Sequence, residues 1–472
     1  NLPMPASTQR FQRLAIDDPD DLLFGRCPHP VTTRSGLVIG GGEVYPELNF
    51  TLPDVDVSHD TLKQIETHYR DIVTEATKRA VELELPGLVL EFETVPPMTE
   101  HPDIGMAVCD ILLAGLAEAN EKHGLKSALR MTPNDNREFI RPPQLRSGRY
   151  WEAMLELFDR SAAAGADFLS IESVGGKEVH DEALQMCDLG QCLFALCVLG
   201  ERDMRFLWSN IVEIANKHGV HAAGDTACGF GNTAMVLAEQ KMIPRVFAAV
   251  DRAVTTVRTL VAHECGAVGP GKDCGYENIF LKAITGCPMS NEGKSASCAH
   301  ASSVGNIASA ACDLWSNESV QHIKLLGGMA PTCSLETLAY DARLMNAAGA
   351  DGDDGRRQLQ HWLCRSDASR DPQAWILQPD VAVRIARSIV EAGDPYLAGV
   401  AAARTTLDEL ATAYEAGDLK LSDRESPWLD TLSDQLEMLP DNAGDFIDQQ
   451  LPMIDASKCD LSQYDLAAAS TV

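Results

Sequence analysis

Three residues that follow short apolar runs are of types that hold a transition metal. Glu172 lies in Ser170-Ile171-Glu172-Ser173-Val174-Gly175-Gly176, Cys228 in Gly224-Asp225-Thr226-Ala227-Cys228-Gly229, and Cys274 in the run from Gly266 to Asn278. Two thiolates and a carboxylate suit zinc, and three protein ligands leave a fourth position for a substrate. The three are far apart in the chain and no Cys-x-x-Cys spacing joins them. The pattern alone therefore leaves zinc beside a plainer alternative, buried and incidental cysteines. Gly269, Gly271 and Gly275 flank Cys274 and let the backbone approach a ligand closely. The same loop also reads as a phosphate cradle with Lys272 as its cation, but it lacks the Gly-Lys-Ser/Thr ending of a P-loop. Gly293-Lys294-Ser295 has that ending, with Pro288 where the first glycine belongs.

The elements that must position these residues alternate. Helical spacing of Leu62, Ile65, Tyr69, Ile72, Val73 and Ala76 predicts a helix over 58–83, with Ser58 as its cap. Strands are expected at 87–91, 126–131, 167–172, 192–199, 220–225, 261–268, 284–289 and 322–326, with amphipathic helices between most of them. Eight such units fit a (β/α)8 TIM barrel better than an open sheet, and no Gly-x-Gly-x-x-Gly supports a dinucleotide fold. Barrel enzymes carry reactive groups at the C-terminal ends of strands, where Glu172, Cys228 and Cys274 fall. The expected organisation is an N-terminal arm over 1–57, the barrel over 58–346 and a C-terminal helical extension over 347–472.

Composition narrows the function class. The 472 residues are 45% hydrophobic, which excludes a wholly disordered chain. There are 69 acidic residues against 39 basic ones, a formal net charge of -30. Such a chain repels phosphate backbones and anionic lipid, so neither nucleic acid nor a membrane surface is an expected partner. The 14 cysteines form no repeating framework, which points to buried thiols in a reducing, cytoplasmic setting. No apolar run reaches the roughly 18 residues that cross a bilayer, and the first sixteen residues lack the apolar core of a signal peptide.

Longer segments carry a resemblance. They are Glu172-Ser173-Val174-Gly175-Gly176-Lys177-Glu178-Val179, Ala223-Gly224-Asp225-Thr226, Asn232-Thr233-Ala234-Met235, the run from Gly266 to Ile279, Glu292-Gly293-Lys294 and Cys298-Ala299-His300. Further matches are Trp315-Ser316-Asn317-Glu318-Ser319, Glu336-Thr337-Leu338-Ala339-Tyr340-Asp341 and Arg370-Asp371-Pro372-Gln373-Ala374. With these the chain resembles the methanol:corrinoid methyltransferases, the zinc-binding subunit of the methanol-activating system. The resemblance implies a (β/α)8 barrel whose catalytic Zn²⁺ is held by Glu172, Cys228 and Cys274. It also implies a corrinoid (cobalamin) carried by a partner corrinoid-binding protein, methanol as methyl donor, and a homodimer. Ala227 stands where an acidic residue is expected, and Gly229-Phe230-Gly231 differ as well. Other donors, such as a methoxylated compound, a methylthiol or a methylamine, therefore stay open. A zinc hydrolase or aldolase without corrinoid, and a non-catalytic scaffold, are the remaining alternatives.

Zinc with two thiolates and a carboxylate is formally -1 and a weak Lewis acid, so a proton donor to the leaving oxygen is expected. Candidates are Glu91 and Glu93 at the end of the first expected strand, Asp225 after the fifth, and His300. Each has an alternative as a cap, an ion-pair partner, a ligand-orienting group or a structural histidine.

Overall fold

The computed structural model describes residues 10–51, 55–292, 304–320, 324–325 and 327–466. Seven strands form one curled parallel sheet: β1 (Tyr45–Thr51), β2 (Leu88–Glu93), β3 (Ser127–Thr132), β4 (Phe168–Ile171), β5 (His221–Asp225), β6 (Ser290–Glu292) and β7 (Leu314–Val320). Their order is β5-β4-β3-β2-β1-β7-β6. Register pairs Asn49 with Glu91, Glu91 with Arg130, and Glu47 with Ser316, which lines their side chains up across the sheet.

The edge strands β5 and β6 are not left open. Val268 N donates to Ala222 O at 2.8 Å, Gly271 N to Pro288 O at 3.0 Å, and Ser290 N to Gly271 O at 3.1 Å. Residues 268–271 thus stand where an eighth strand closes a TIM barrel. Helices α1 (Leu62–Glu82), α2 (Pro102–His123), α3 (Arg149–Ala164), α4 (Glu201–His218), α5 (Arg245–Glu264), α6 (Asn278–Thr285) and α7 (Ala330–Ala350) surround the sheet. On α1 the expected stripe is buried from Ile65 through Tyr69, Ile72 and Val73 to Ala76, with Leu62 half-buried at its start and Ala80 extending it.

Beyond α7 the chain is helical, with α8 (Pro379–Glu391) and α9 (Pro395–Ala416) packed on α6 and α5. Their buried side chains share one apolar cluster with Phe247, Val250, Phe280 and Leu281. Among the described residues the extension therefore shares its core with the barrel's own helices.

Several expected strands are corrected. Residues 45–51, expected in the N-terminal arm of 1–57, are β1 in the middle of the sheet. Residues 192–199 are a helix over Leu189–Phe194 continuing as a π-helical turn over Ala195–Gly200. All of 192–199 is buried, and uniform burial produces an apolar run in a helix as readily as in a strand. Residues 261–264 end α5, and 284–285 end α6, with β6 beginning five residues later. Of 322–326, only Lys324 and Leu325 are described, in a small hairpin with Gly328 and Met329. The last strand of the sheet in chain order is instead β7, whose Ser316, Asn317 and Glu318 hid it from an apolar pattern.

Candidate metal centre

Glu172 directly follows β4, Cys228 follows β5 by three residues, and Cys274 follows the closing segment. The parallel sheet points all three ends the same way, and one carboxylate oxygen and both sulfurs lie within 4.8 Å of one another. Bonds of about 2.0–2.3 Å to one ion match that spread after small side-chain rotation. Cys274 has φ of +56°, a left-handed conformation that a residue with a Cβ seldom adopts. Its neighbour is glycine for a steric reason: a Cβ on Gly275 would come within 2.8 Å of Thr226 Oγ1, on the loop that carries Cys228. Close approach of the two cysteine loops is therefore the role of that glycine.

Glu277 joins the same two loops. Three residues past Cys274, it accepts from Ala227 N at 2.7 Å and from Thr259 Oγ1 at 3.1 Å. The Cys228 sulfur accepts from Asn232 Nδ2 at 3.3 Å, and Cys274 Sγ donates to Glu292 Oε1 at 2.7 Å.

The electrostatics are lopsided. The fully buried Lys272 ammonium is 3.0 Å from Glu91 Oε1, 3.3 Å from Glu172 Oε1 and 3.6 Å from Glu93 Oε2, and it also contacts Asp273. Burial opposes its charge, but these four carboxylates outweigh it and hold Lys272 well above the usual lysine range. Burial, with Glu93 beside it, pushes the Glu172 carboxyl up to about 8. A hydrogen bond with Cys274 lowers the Cys228 thiol, but burial and the nearby Glu172 and Glu292 carry it to about 11. Four carboxylates and two thiols gathered around one ammonium lack positive charge. A divalent cation at the Glu172–Cys228–Cys274 set would supply it, so the donor set fits zinc.

Among the described residues two other groups have metal-ligand types at similar spacing. Asp273, Cys274 and Glu292 are all buried and share Cys274 with the first set. His180, Cys192 and Asp251 are sealed in the helical layer, where His180 Nε2 sits 2.8 Å from Asp251 Oδ1. The first set adjoins a cavity through Glu172. It has a volume of about 130 Å³ and is lined by Glu93, Glu172, Thr132, Asn134, Glu138, Lys177 and Gly229 among others.

The proton-donor candidates separate. Glu93 accepts from Asn49 Nδ2 at 3.0 Å, keeps its side chain 29% exposed and faces the cavity. Glu91 is completely buried; Thr132 Oγ1 donates to its Oε1 at 2.7 Å, while Oε2 has no hydrogen-bond partner among the described residues. Burial, reinforced by Asp273, raises its carboxyl well above the ordinary range. Asp225 is turned into the protein, accepting from Ser173 Oγ at 2.7 Å, Trp208 Nε1 at 2.8 Å, Thr226 N at 2.8 Å and Ser173 N at 3.2 Å. That carboxylate anchors the loop after Glu172 and does not border the cavity. His300 lies outside the described residues.

Sequence reasoning missed Glu277, Asp273 and the role of Lys272, and treated Glu292 only as part of a matching segment. Proximity to Cys274 was the available signal for Asp273 and Lys272; nothing in the sequence marked Glu277 as reaching Ala227.

Comparison with known proteins adds three findings. A family model described as the methanol-cobalamin methyltransferase B subunit matches residues 8–465. A methanol–corrinoid protein co-methyltransferase of Methanosarcina barkeri (strain Fusaro / DSM 804) is 39% identical over 452 residues, 94% of this chain and 96% of that protein. A chain of the crystal structure of the methanol:cobalamin methyltransferase complex MtaBC from Methanosarcina barkeri superposes with a TM-score of 0.92 at 38% identity, covering 97% of this chain and all (100%) of that one.

Proposed function

Because the chain belongs to the methanol-cobalamin methyltransferase B subunit family, we propose that it transfers the methyl group of methanol to the cobalt of a corrinoid held by a partner protein. Zinc, held by Glu172, Cys228 and Cys274, completes the reading. The single observation that carries it is the convergence of those three donors beside a cavity. When bound, zinc supplies a Lewis acid that weakens the C–O bond of the alcohol.

The chain's own residues do the rest. Glu172 and the two cysteine loops hold the metal, and Asp225, through Ser173, fixes the loop that follows Glu172. Glu93 at the cavity wall is the group placed to pass a proton to the departing oxygen, and Asn49 orients it. Glu91, sealed behind it, keeps Lys272 in place. The walls of the cavity limit water near the reacting methyl group.

In this reading the protein works in the cytoplasm as a homodimer, each copy engaging a corrinoid-binding protein, and residues 347–472 act as a helical extension of the barrel. No described helix is long and apolar enough to cross a membrane. Light scattering of the purified chain, alone and with its corrinoid partner, tests the stoichiometry.

Metal analysis and turnover test the core of the proposal. Wild type should hold about one zinc per chain, and Cys228→Ala and Cys274→Ser should lose most of it. Zinc retained in both variants removes the ligand assignment. Loss of the Co(I) absorbance on adding methanol supports methanol as donor. A response only to a methoxylated compound, a methylthiol or a methylamine moves the activity to that donor, in keeping with Ala227 and Gly229 beside the site.

A further inference from the structure

Lys272 reaches this centre from the same loop as Cys274, two residues earlier. Its ammonium is fully buried and is held by groups from separate elements: Glu91 and Glu93 from β2, Glu172 from the end of β4, and Asp273 from its own loop. Each of the other three carboxylates is steadied independently. Thr132 Oγ1 donates to Glu91, Asn49 Nδ2 to Glu93, and Ser316 Oγ to Asp273 Oδ2 at 2.6 Å. Glu172 differs: among the described residues, Lys272 is the hydrogen-bonding or ionic partner found for its side chain, which is 30% exposed. A phosphate-binding role for this lysine does not survive, since an anion would have to displace four carboxylates from a buried ammonium.

We propose that Lys272 is a positioning residue of the metal centre: by holding Oε1 of Glu172 it leaves a single oxygen to the ion and keeps one coordination position free for the methyl donor. The proposal rests on the zinc reading given above. An ammonium with three donors restrains a carboxylate on one side, and a ligand so restrained presents its other oxygen outward. The same charge lets Glu93 and Asp273 lie beside a formally anionic centre without mutual expulsion.

The experiment uses full-length wild type, Lys272→Met, Lys272→Gln and Lys272→Arg, each stripped of metal and checked for folding by circular dichroism. Zinc affinity is read by competition with a chromogenic chelator, and coordination by the visible d–d bands after loading with Co²⁺. Wild type should take one ion and show the strong bands of a four-coordinate, sulfur-rich site. Lys272→Met should bind zinc about 10–100-fold more weakly, as loss of an outer-shell partner does. Its cobalt bands should weaken as Glu172 turns both oxygens to the metal. Lys272→Arg should restore most of the affinity and the wild-type bands, and Lys272→Gln should fall between. If the Met variant does not fold, the Gln variant carries the comparison. Wild-type affinity together with unchanged cobalt bands in the folded Met or Gln variant overturns the positioning role. A wild-type chain that binds neither ion overturns the zinc reading itself, and this proposal with it.

Discussion

A carboxyl that gives up a proton beside an anionic centre must both reach the cavity and be able to return. Glu93 meets the first condition and Glu91 does not, although they are two residues apart on one strand. Alternate residues of a strand share a face, so both point inward, but Glu93 lies at the open end and Glu91 one layer deeper. Replacing Glu93 with Gln keeps the bond from Asn49 and removes the proton. Methyl transfer should slow by about 10²-fold, in the range a general acid contributes, while zinc content stays near one per chain. An unchanged rate constant in single-turnover measurements would exclude Glu93 as the donor. At this scale the convergence of Glu172, Cys228 and Cys274 was anticipated by the expected strand ends taken together with the family resemblance, not by strand ends alone. Lys272 was not, since its meaning depends on carboxylates brought from residues 91, 93 and 172 by the fold. Asp225 misled for the converse reason: its position after a strand says nothing about which way its side chain turns, and Trp208 and Ser173 draw it inward.

Loops and helix ends carry the next layer of constraint. Glu277 begins the turn into α6 yet accepts the Ala227 amide, so it sets the separation of the loops bearing Cys228 and Cys274. Glu277→Ala leaves that buried amide unpaired, a loss of about 1–3 kcal/mol of stability, and should loosen zinc. Glu277→Gln retains an acceptor and should recover most of both. Equal chelator resistance in wild type and the Ala variant would dismiss the tie. The end of α5 makes a pH-dependent joint with the closing segment. His263 is buried with Nδ1 3.1 Å from Ala267 O, and burial lowers its pKa from 6.5 to about 4. Between those values the unfolded chain binds a proton that the folded one refuses, so stability rises with pH through that window and is complete above about 6.5. The full contribution is about 3 kcal/mol at 1.36 kcal/mol per unit. Denaturant titrations from pH 4 to 7 should therefore show a steeper acid loss in wild type than in His263→Gln, and parallel curves would refute the linkage. The closing segment itself escaped an apolar reading because Gly269, Pro270 and Gly271 leave few side chains to pattern, and α5 is buried almost throughout.

The barrel as a whole is pinned by polar groups through its interior, which is why its sequence under-reports its strands. Glu47 on β1 receives Arg130 Nε from β3 at 2.5 Å and Ser290 Oγ from β6 at 2.5 Å. Arg130 Nη1 continues to Ser170 Oγ on β4 at 2.7 Å and to Pro270 O on the closing segment at 2.8 Å. One fully buried ion pair thus touches five of the barrel's staves: β1, β3, β4, β6 and the closing segment. An apolar search finds β2 to β5, whose buried Leu, Val, Ala and Phe dominate, and passes over β1, β6 and β7, whose inward residues are Glu, Asn and Ser. Removing one partner of a buried pair leaves a charge without compensation, at about 3–5 kcal/mol. Arg130→Met should lower the chemical-denaturation midpoint accordingly and leave Glu47 the least satisfied carboxylate in the barrel. The double variant Arg130→Met/Glu47→Leu removes the stranded charge, yet Ser290 and Pro270 O still lose their partners. It should regain part of the loss and fall short of wild type. A single variant as stable as wild type would mean the closure holds without this pin, and that the polar interior serves the proposed metal centre above it alone.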